Sequence, residues 1–386
     1  MNRIEKLIQE LCPNGVEFRP LDEIFETKGG YTPTKSNKAF WENGTVPWFR
    51  MEDIRENGTV LSDSLAHVTS EAVKNGQLFE PDSFIVATSA TIGDHALITV
   101  PFLANQRFTV LTLRDAWNSR FEVKFLYYYL FVLGEWCLNN VRVSSFPSVD
   151  MKGFRKFRVP VPPIEVQREI VKILDLFTEL EAELEAELEA RRKQYEHYRD
   201  QLLTFPENGG ATWTPMGDVV RLRNGKDYKH LGAGTVPVYG SGGVLAYVDE
   251  PAYVGKTVLV PRKGSISSVY FVDGPVWTVD TCFYSEIDET RLHPRFLYHY
   301  LIREDLGRLN TAGGVPSLTQ KVLNRLKLAL PSLAEQTRIA DVLDKFDALV
   351  NDLSSGLPAE IEARRKQYEY YRDKLLTFKE LEPEAA

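Results

Sequence analysis

The segment EARRKQYEHYRDQLLTF at residues 189–205 occurs a second time, almost unchanged, as EARRKQYEYYRDKLLTF at residues 362–378. The two copies differ at only two positions. Unrelated amphipathic helices share a pattern of apolar positions, whereas these two segments share the residues themselves. The repetition therefore predicts an internal duplication, with two related halves in one chain.

The duplication extends upstream of the two copies. PPIEVQREIVKILDLF at residues 162–177 matches PSLAEQTRIADVLDKF at residues 331–346, and FLYYYL at residues 125–130 matches FLYHYL at residues 296–301. Each half thus has a variable lobe followed by a long, similar helix. Residues 1–15 read as a helix from a partial unit, so the sequence predicts a circular arrangement with pseudo-twofold symmetry.

The two similar helices have the period of a coiled coil. Apolar residues recur at a mean spacing of about 3.5 between Ile170 and Phe205, and again between Ile339 and Phe378. A helix of about 36 residues is about 54 Å long. We expect the two helices to pair as an antiparallel coiled coil that separates the lobes. The alternative is that each helix packs only on its own lobe.

A tetrapeptide, ELEA, occurs three times in succession at residues 179–190. Glu, Leu and Ala all favour the helical state, so the run can be a simple helix former. It can also act as a spacer, because each four-residue block lengthens a helix by about 6 Å. The second helix is interrupted by SSGLP at residues 354–358. Since proline is tolerated at the start of a helix, we expect a break there with Pro358 beginning a new helix.

Composition indicates a folded, cytoplasmic protein. Of the 386 residues, 43% are hydrophobic and 11% aromatic, which is sufficient for two or more domains with their own cores. No apolar run approaches the roughly 20 residues of a membrane span, and no signal-peptide pattern opens the chain. The three cysteines are isolated, so neither a disulfide framework nor a zinc cluster is indicated.

The net charge of −8 argues at first against a nucleic-acid partner. However, the helical regions at residues 159–205 and 329–386 together carry −9. The remaining lobes are therefore close to neutral and can present local basic surfaces. The charge distribution permits DNA binding without demonstrating it.

Both lobes contain short β-branched, strand-type segments punctuated by Gly and Pro, followed by a helical segment. The fold class predicted is therefore α+β, with two mixed α/β lobes and two long helices. The expected divisions are residues 1–15 for the N-terminal helix, 16–158 for lobe 1, 159–205 for the first helical region, 206–328 for lobe 2, 329–379 for the second helical region and 380–386 for a tail.

The ordered set of motifs resembles the specificity subunit of type I restriction–modification enzymes, which has two target-recognition domains separated by two helical repeats. The matching stretches in lobe 1 are GGYTPTK, GTVPWFRMEDI, ATSATIGDHALI and NQRF. Those in lobe 2 are TVPVYGSGG, RKGSISSVYF and VDTCFY. The ELEA blocks resemble the tetrapeptide repeats whose number alters the unspecified spacer of the DNA target. Because the two lobes differ visibly, the resemblance implies an asymmetric bipartite target.

The resemblance implies a non-catalytic chain that works in a complex. Its expected partners are double-stranded DNA, two modification (adenine methyltransferase) subunits and, through the complex, motor–nuclease restriction subunits, with no membrane. S-adenosylmethionine, ATP and Mg²⁺ are expected on the partner subunits, with no cofactor, metal or catalytic residue in this chain.

Candidate contact residues are Arg, Lys, Tyr and Ser side chains that can bind base edges or phosphates. Those predicted to bind DNA are Lys28, Tyr31, Lys35, Lys38, Arg50, Arg107, Arg142, Ser144 and Ser145 in lobe 1, and Lys226, Lys229, Arg262, Lys263, Ser265 and Arg308 in lobe 2. Those expected to bind the modification subunits are Gln167, Ile170, Arg191, Arg192, Tyr195, Gln336, Ile339, Arg364, Arg365 and Tyr368. For each residue, the alternative is a solvated surface side chain.

Two other functions compete with this interpretation. A stand-alone metal-dependent nuclease could use Asp82, Glu122 and Lys124, although such a loose pattern is common by chance. A coiled-coil adaptor without DNA contact would show no salt-dependent affinity for DNA. Methyltransferase and P-loop motifs are incomplete: the only Pro-Pro lacks flanking Asn/Asp and aromatic residues, and Glu250 stands where a P-loop needs its first glycine.

Overall fold

The computed structural model describes residues 3–142, 147–206, 209–310, 315–352 and 354–381. The chain forms two compact units: unit 1 comprises Met1–Glu181 and Ala363–Ala386, and unit 2 comprises Ala182–Glu362. Both divisions fall inside long helices, not at the ends of the lobes. Each unit therefore combines one lobe with parts of both helical regions.

The described residues form ten helices and twenty strands. The helices are α1 (Arg3–Leu11), α2 (Leu21–Ile24), α3 (Met51–Asn57), α4 (Val123–Asn139), α5 (Met151–Arg155), α6 (Ile164–Leu202), α7 (Pro294–Arg303), α8 (Gln320–Leu323), α9 (Leu333–Asn351) and α10 (Leu357–Leu375). The strands are β1 (Glu17–Pro20), β2 (Phe25–Gly29), β3 (Val46–Phe49), β4 (Val60–Leu61), β5 (His67–Val68), β6 (Ser83–Ala87), β7 (His95–Ile98), β8 (Leu103–Ala104), β9 (Phe108–Leu113), β10 (Val141–Arg142), β11 (Ser148–Val149), β12 (Arg158–Val161), β13 (Thr212–Pro215), β14 (Val220–Asn224), β15 (Ala233–Gly240), β16 (Gly243–Val248), β17 (Tyr253–Pro261), β18 (Tyr270–Thr278), β19 (Cys282–Ile287) and β20 (Lys327–Leu330).

No helix among the described residues is long and apolar enough to cross a membrane.

The main sheets of the two units share a common layout. In unit 1 the strand order is β2-β9-β6-β7-β4, and in unit 2 it is β14-β19-β17-β18-β15-β16. The first four strands of each sheet are antiparallel to their neighbours in the same order. The lobes therefore share a strand topology, although their sequences differ.

Strand β3 of unit 1 also corresponds to β15 of unit 2. Both strands belong to a GTVP sequence, and each pairs in parallel with a segment that comes directly before the equivalent strands β9 and β19: Phe49 with Ala104, and Tyr239 with Thr278. In unit 1 these strands form a separate sheet of order β5-β3-β8. In unit 2 the single long strand β18 replaces β7 and β8, so one sheet of six strands results.

In each unit, the start of one helical region packs against the end of the other. In unit 1 the ring of Phe177 on α6 stacks on Tyr371 of α10, with centroids 5.6 Å apart, and Glu181 pairs with Arg365. Contacts thus move backwards along α10 as α6 advances, which makes the pair antiparallel. In unit 2 Phe346 of α9 stacks on Tyr198 of α6 at 5.5 Å.

These stacked pairs are repeat-related, because Phe177 corresponds to Phe346 and Tyr198 to Tyr371 in the sequence. The predicted fold class, with mixed lobes, long antiparallel helices and a circular internal repeat, is confirmed. The alternative in which each helix packs only on its own lobe is wrong.

The second helical region is broken where the sequence predicted. Helix α9 ends at Asn351, and α10 begins at Leu357 with Pro358 as its second residue. The Asp352 carboxylate accepts hydrogen bonds from the backbone N–H and hydroxyl of Ser354, at 2.7 and 2.6 Å. These bonds, together with those from Ser355, lower the pKa of Asp352 to about 2.

The two ends of the chain meet in unit 1. The Val16 N–H donates to the Lys379 carbonyl at 2.8 Å, and the Leu381 N–H donates to the Val16 carbonyl at 2.9 Å. In unit 2 the equivalent connection, from α6 to β13, is made by the continuous chain. The next strand pairs are also equivalent: β1 pairs with β12 in unit 1, and β13 with β20 in unit 2.

Candidate nucleic-acid interface

Each sheet has one end at which several loops converge, and we call this end the tip of the unit. The tip of unit 1 comprises residues 88–94, 105–107 and the described parts of 141–149. The tip of unit 2 comprises residues 225–226, 241–242, 262–268, 279–281 and the described parts of 306–318. The same strand directions bring the loops together in both units.

Backbone hydrogen bonds hold the tip loops of unit 1 together. The Thr88 N–H donates to the Arg107 carbonyl at 3.0 Å, and the Val149 N–H donates to the Thr88 carbonyl at 2.9 Å. Ser89 forms a β-bridge with Ser148. The loop between β6 and β7 therefore lies between the two other loops of this tip.

The tip of unit 2 has the same bonds on different residues. The Arg262 N–H donates to the Thr281 carbonyl and the Leu318 N–H to the Arg262 carbonyl, both at 2.8 Å. Lys263 forms a β-bridge with Ser317. The sequence TSAT at residues 88–91 thus corresponds to RKGS at residues 262–265.

The third residue of both loops is left-handed, with φ of 67° at Ala90 and 82° at Gly264. An L-residue in this region is strained, whereas glycine is not. Ala90 therefore keeps a conformation that its glycine counterpart adopts freely. The shared geometry supports the equivalence of the two loops.

The structure brings most lobe 2 predictions together at the tip of unit 2. Arg262, Lys263 and Ser265 lie on the β17–β18 loop, and Lys226 follows β14, where its N–H donates to the Thr278 carbonyl at 2.8 Å. Arg308 lies on the neighbouring short helical turn and pairs with Asp305 at 3.1 Å. Lys229 is exposed in the loop that continues from Lys226.

Three lobe 1 predictions lie at the corresponding end of unit 1. Arg107 is exposed between β8 and β9, and Arg142 pairs with Asp150. Arg50 directly follows β3, and its guanidinium carbon lies 5.7 Å from the centroid of the Trp48 ring. Two further predicted residues, Ser144 and Ser145, lie outside the described residues.

The hydroxyl group of Tyr31 is bonded within unit 1, and contact of this residue with DNA remains a prediction. The hydroxyl accepts a hydrogen bond from the Lys74 N–H at 3.0 Å and donates to the Ala72 carbonyl at 3.3 Å. The Lys74 ammonium lies 4.4 Å from the centroid of the ring. Tyr31 therefore fastens the β2–β3 loop to the segment around Ala72.

The three lysines of lobe 1 that were predicted to bind DNA lie outside the tip. Lys28 is on β2 and forms an ion pair with Glu26 at 2.9 Å, so its charge is balanced within the unit. Lys35 and Lys38 are exposed in the β2–β3 loop. The later part of this loop is held by the Thr69 N–H, which donates to the Phe40 carbonyl at 3.0 Å.

Five of the residues expected to bind partner subunits are buried inside their own units. Gln167 and Gln336 have no exposed surface, and Ile170, Ile339 and Tyr195 are at most 5% exposed. A side chain without exposed surface cannot contact a separate subunit unless its surroundings rearrange. Contact of these five residues with a partner subunit therefore remains a prediction, and within this chain they hold each helix to its lobe.

The two glutamines make the same three hydrogen bonds. Gln167 accepts from the Glu122 N–H at 2.9 Å and donates to the Arg120 and Pro162 carbonyls at 2.9 and 2.7 Å. Gln336 makes the equivalent bonds to His293, Arg291 and Pro331 at 2.8, 3.0 and 2.9 Å. Each glutamine thus ties the start of a long helix to the loop before α4 or α7.

Other expected partner contacts remain at the surface. Arg192 and Arg364 are exposed, and Arg191 forms an ion pair with Glu187 at 3.3 Å. Arg365 is exposed and forms its ion pair with Glu181 of α6. Tyr368 is half-buried, with its ring centroid 6.3 Å from that of Phe177.

Sequence reasoning missed Thr88, Ser89 and Thr91, the hydroxyl-bearing residues on the tip of unit 1. Their counterparts in unit 2 were selected because Arg262 and Lys263 are basic. An alignment of TSAT with RKGS would have found them, since both follow a buried strand and precede the next one. Selection by charge alone hides a loop whose polar groups are hydroxyls.

The residues proposed for a nuclease do not form a catalytic cluster. The Lys124 ammonium lies 2.6 Å from the Asp175 carboxylate, and Glu122 pairs with Arg168 at 3.6 Å. Among the residues that the structure describes, no three His, Cys, Asp or Glu side chains form a group that could hold a metal ion.

The chain is similar to known proteins over nearly its whole length. A family profile described as "Type I restriction modification DNA specificity domain" matches residues 13–190 and 212–363. The specificity subunit of the type I restriction enzyme EcoprrI from Escherichia coli is 41% identical over 378 residues, covering 92% of each chain. That of EcoR124I/EcoR124II from Escherichia coli is 33% identical over 302 residues, covering 68% of this chain and 72% of the relative.

Solved structures share the fold. The S subunit of a type I restriction–modification system from M. genitalium superposes with a TM-score of 0.54 at 18% identity, covering 96% of this chain and 97% of the other. A chain from a study of complex assembly and conformational transition in a type I R–M system has a TM-score of 0.63 at 16% identity, covering 94% and 98%. With two matches to the family profile, a duplicated fold and close relatives of the same kind, the chain belongs to the DNA specificity subunits of type I restriction–modification systems.

Proposed function

We propose that the tip of each unit reads one half of an asymmetric, bipartite DNA target. The observation that carries this proposal is the repeated loop cluster, which keeps its backbone bonds in both units while its side chains change from TSAT to RKGS. A constant backbone frame with variable side chains is what two readers of different sequences require. Loops on a rigid scaffold are also the usual place for binding residues.

The two tips differ in the chemistry that they offer to DNA. Arg262 and Lys263 can donate to guanine O6 and N7 or to phosphates, whereas Ser89 carries a hydroxyl group that suits several bases. The other two hydroxyl groups of this loop are turned inward: that of Thr88 bonds to the Thr109 hydroxyl at 3.0 Å, and that of Thr91 is buried. Arg107 and Arg142 add cations at the edge of the unit 1 tip for phosphate contacts. We expect the two half-sites to differ accordingly.

Exchange of the tip loops tests this assignment. RKGS at residues 262–265 would be replaced by TSAT in a host that also expresses the modification subunit, and methylated motifs would be mapped across the genome. We expect the half-site read by unit 2 to change or relax, while the other half-site stays the same. A matched control would exchange the exposed residues Asp249 and Glu250 for Asn and Gln. An unchanged motif after the loop exchange contradicts the proposal.

We also propose that the helical regions bind two modification subunits, one for each repeat, and that restriction subunits join through them in the cytoplasm. Two surface arginines recur at equivalent positions of the EARRKQY segments, and this supports the proposal. Arg191 corresponds to Arg364, and Arg192 corresponds to Arg365. A double substitution Arg192→Glu and Arg364→Glu should weaken assembly, as measured by native mass spectrometry of the complex. A complex that keeps two modification subunits at the same affinity would contradict it.

A further inference from the structure

The face of the unit 2 sheet that points away from α7, which we call the outer face, is built from alternate residues of β15, β17, β18 and β19. Its residues are Tyr239, Leu259, Tyr270, Val272, Cys282 and Tyr284. The strand pairings make them equivalent to six residues of unit 1: Phe49, Ile85, Ala96, Ile98, Phe108 and Val110.

In unit 1 these positions are covered by the chain itself. All six equivalent residues are at most 1% exposed, and Met51 and Ile54 of α3 pack on them. The strand after α3, β4, pairs in parallel with β7, with Leu61 opposite Ile98. A helix and a short strand thus close this face of the unit 1 sheet.

Unit 2 has no such cover among its described residues. Gly240 ends β15, and β16 begins at Gly243, so the segment that corresponds to α3 and β4 is missing. Tyr239, Tyr270, Val272 and Tyr284 are consequently partly exposed, whereas their unit 1 equivalents are buried. Leu259 and Cys282 remain fully buried. Tyrosine presents an apolar ring and a polar hydroxyl, and it is enriched where proteins bind one another.

The uncovered region also contains an open strand edge. Of the described strands, only β17 pairs with residues 270–273 of β18, because β15 meets β18 further along, at Trp277 and Thr278. In unit 1 the equivalent edge of β7 is occupied by β4. An open edge offers backbone N–H and C=O groups at the spacing that a further β-strand matches.

The charges beside the outer face favour an acidic occupant. Arg221 and Arg223 lie on β14 and alternate with the buried Leu222, so they face the same side as Tyr284. Arg223 is paired with Glu286 at 2.9 Å, and Arg221 is exposed. Glu286 lies opposite Arg221 in the register of β14 and β19 but is paired with Arg223, so a carboxylate on the occupant would complement Arg221.

We propose that an amphipathic, acidic helix followed by a short strand, supplied by another subunit of the complex, covers the outer face of unit 2. This inference rests on the proposed function, since it requires that the chain assemble with protein partners. The occupant plays the part that α3 and β4 play in unit 1. The two units would then differ in a further way: unit 1 carries its own cover, and unit 2 recruits one.

Amide hydrogen exchange of the full chain, alone and with the modification subunit of its own system, tests the proposal. We expect exchange at residues 270–273 to slow by about tenfold or more on assembly, before DNA is added, because these amides become protected. Residues 95–98 of β7 are the internal control, since β4 and β6 already pair with them. Their exchange should not change.

A matched pair of substitutions gives a second readout. Val272→Asp places a charge on the outer face, whereas Val254→Asp changes the same residue type at a position that is 65% exposed. We expect only Val272→Asp to raise the dissociation constant for the modification subunit, by about tenfold. If Val272→Asp disturbs folding of the isolated chain, Arg221→Glu, at an exposed position, provides the same test.

The outcomes separate the alternatives. Protection that arises only when DNA is added would identify a nucleic-acid occupant and overturn the proposal. Absence of protection in both states would show that the face stays in water and would overturn it as well. Methylation mapping of the unmodified complex reports on the specificity function independently, so failure of this inference is distinguishable from failure of the proposed function.

Discussion

Gln167 and Gln336 show how a single buried amide can define the joint between a helix and a lobe. Each side chain satisfies one backbone N–H and two backbone carbonyls at the base of the helix. An apolar replacement leaves these three groups without partners in a buried place, which costs more than the hydrogen bonds themselves contribute. These residues therefore stabilise the orientation of the helix start on its lobe.

Gln336→Leu should reduce the free energy of unfolding by about 3 kcal/mol, because three buried backbone groups lose their partners. Urea unfolding of the full chain measures the change. Gln201→Leu, at an exposed position of α6, is the control and should change stability by less than about 0.5 kcal/mol. Equal effects of the two substitutions would contradict the assigned role.

His95 of β7 gives unit 1 a dependence on pH. Its ring is 5% exposed, packs edge-on against Phe131 at 4.5 Å, and its Nε2 atom has no hydrogen-bond partner. Burial lowers the pKa of His95 to about 4 in the folded chain, from about 6.5 in an unfolded one. The unfolded chain therefore binds the proton first, and stability is lost as the pH falls from about 6.5 towards 4.

Between pH 6.5 and 5, the contribution of His95 to stability should fall by about 1.4 kcal/mol per pH unit. Urea unfolding of the natural chain and of His95→Phe over pH 5–8 measures this difference, because other titrating groups contribute to both. The two curves should run parallel above pH 7 and diverge below 6.5. Parallel curves over the whole range would contradict the lowered pKa, because His95 would then bind its proton equally well in the folded and unfolded chains.

At the scale of elements, the repeated sequence predicted the helices better than the lobes. The helix break at Pro358, the antiparallel packing and the circular repeat follow from local sequence, because proline and a heptad-like period act over a few residues. The common strand order of the lobes depends on pairings between distant residues, and the strand sequences have diverged except at GTVP. The sequence did not reveal that the side chains of Gln167 and Gln336 point inward. The helical period of the apolar residues does not show which polar residue meets a buried backbone group.

Deletion of one ELEA block, residues 183–186, should shorten α6 by about 6 Å and rotate the C-terminal part of the helix by about 40°. The blocks span the division between the two units and contribute no residue to either tip. We therefore expect methylation mapping to show both half-sites unchanged with a different gap between them. Replacing the same four residues by AAAA keeps the length and should keep the gap. A change of either half-site would contradict the role of spacer.

At the scale of the whole molecule, hydrogen bonds in unit 1 replace a connection that unit 2 makes through its backbone. Val16 and the segment 379–381 bond in unit 1 where unit 2 has continuous chain. Gly209 and Gly210 lie in that continuous connection of unit 2, both with positive φ and with open space around them. A chain opened there would lose few contacts.

A circular permutant that begins at Gly210, with residue 386 joined to residue 1 by a flexible linker, should fold and direct methylation of the same bipartite motif. Methylation mapping with the permuted gene measures this result. A permutant opened between Leu130 and Phe131, inside the buried helix α4, should fail to accumulate as folded protein. Loss of the motif in the first permutant, with folding intact, would mean that the connection between α6 and β13 takes part in function.

The near-identity of the two EARRKQY segments has a genetic consequence. Matching coding sequences are substrates for homologous recombination, and an exchange between the two copies would delete 173 codons in frame. The shortened product would retain both Met1–Glu181 and Ala363–Ala386, which are all the residues of unit 1. Exchange with a related gene at both EARRKQY segments would instead replace the lobe of unit 2 and leave the sequence at both junctions unchanged. The repeated segment is thus also a site at which recombination can produce new DNA specificities.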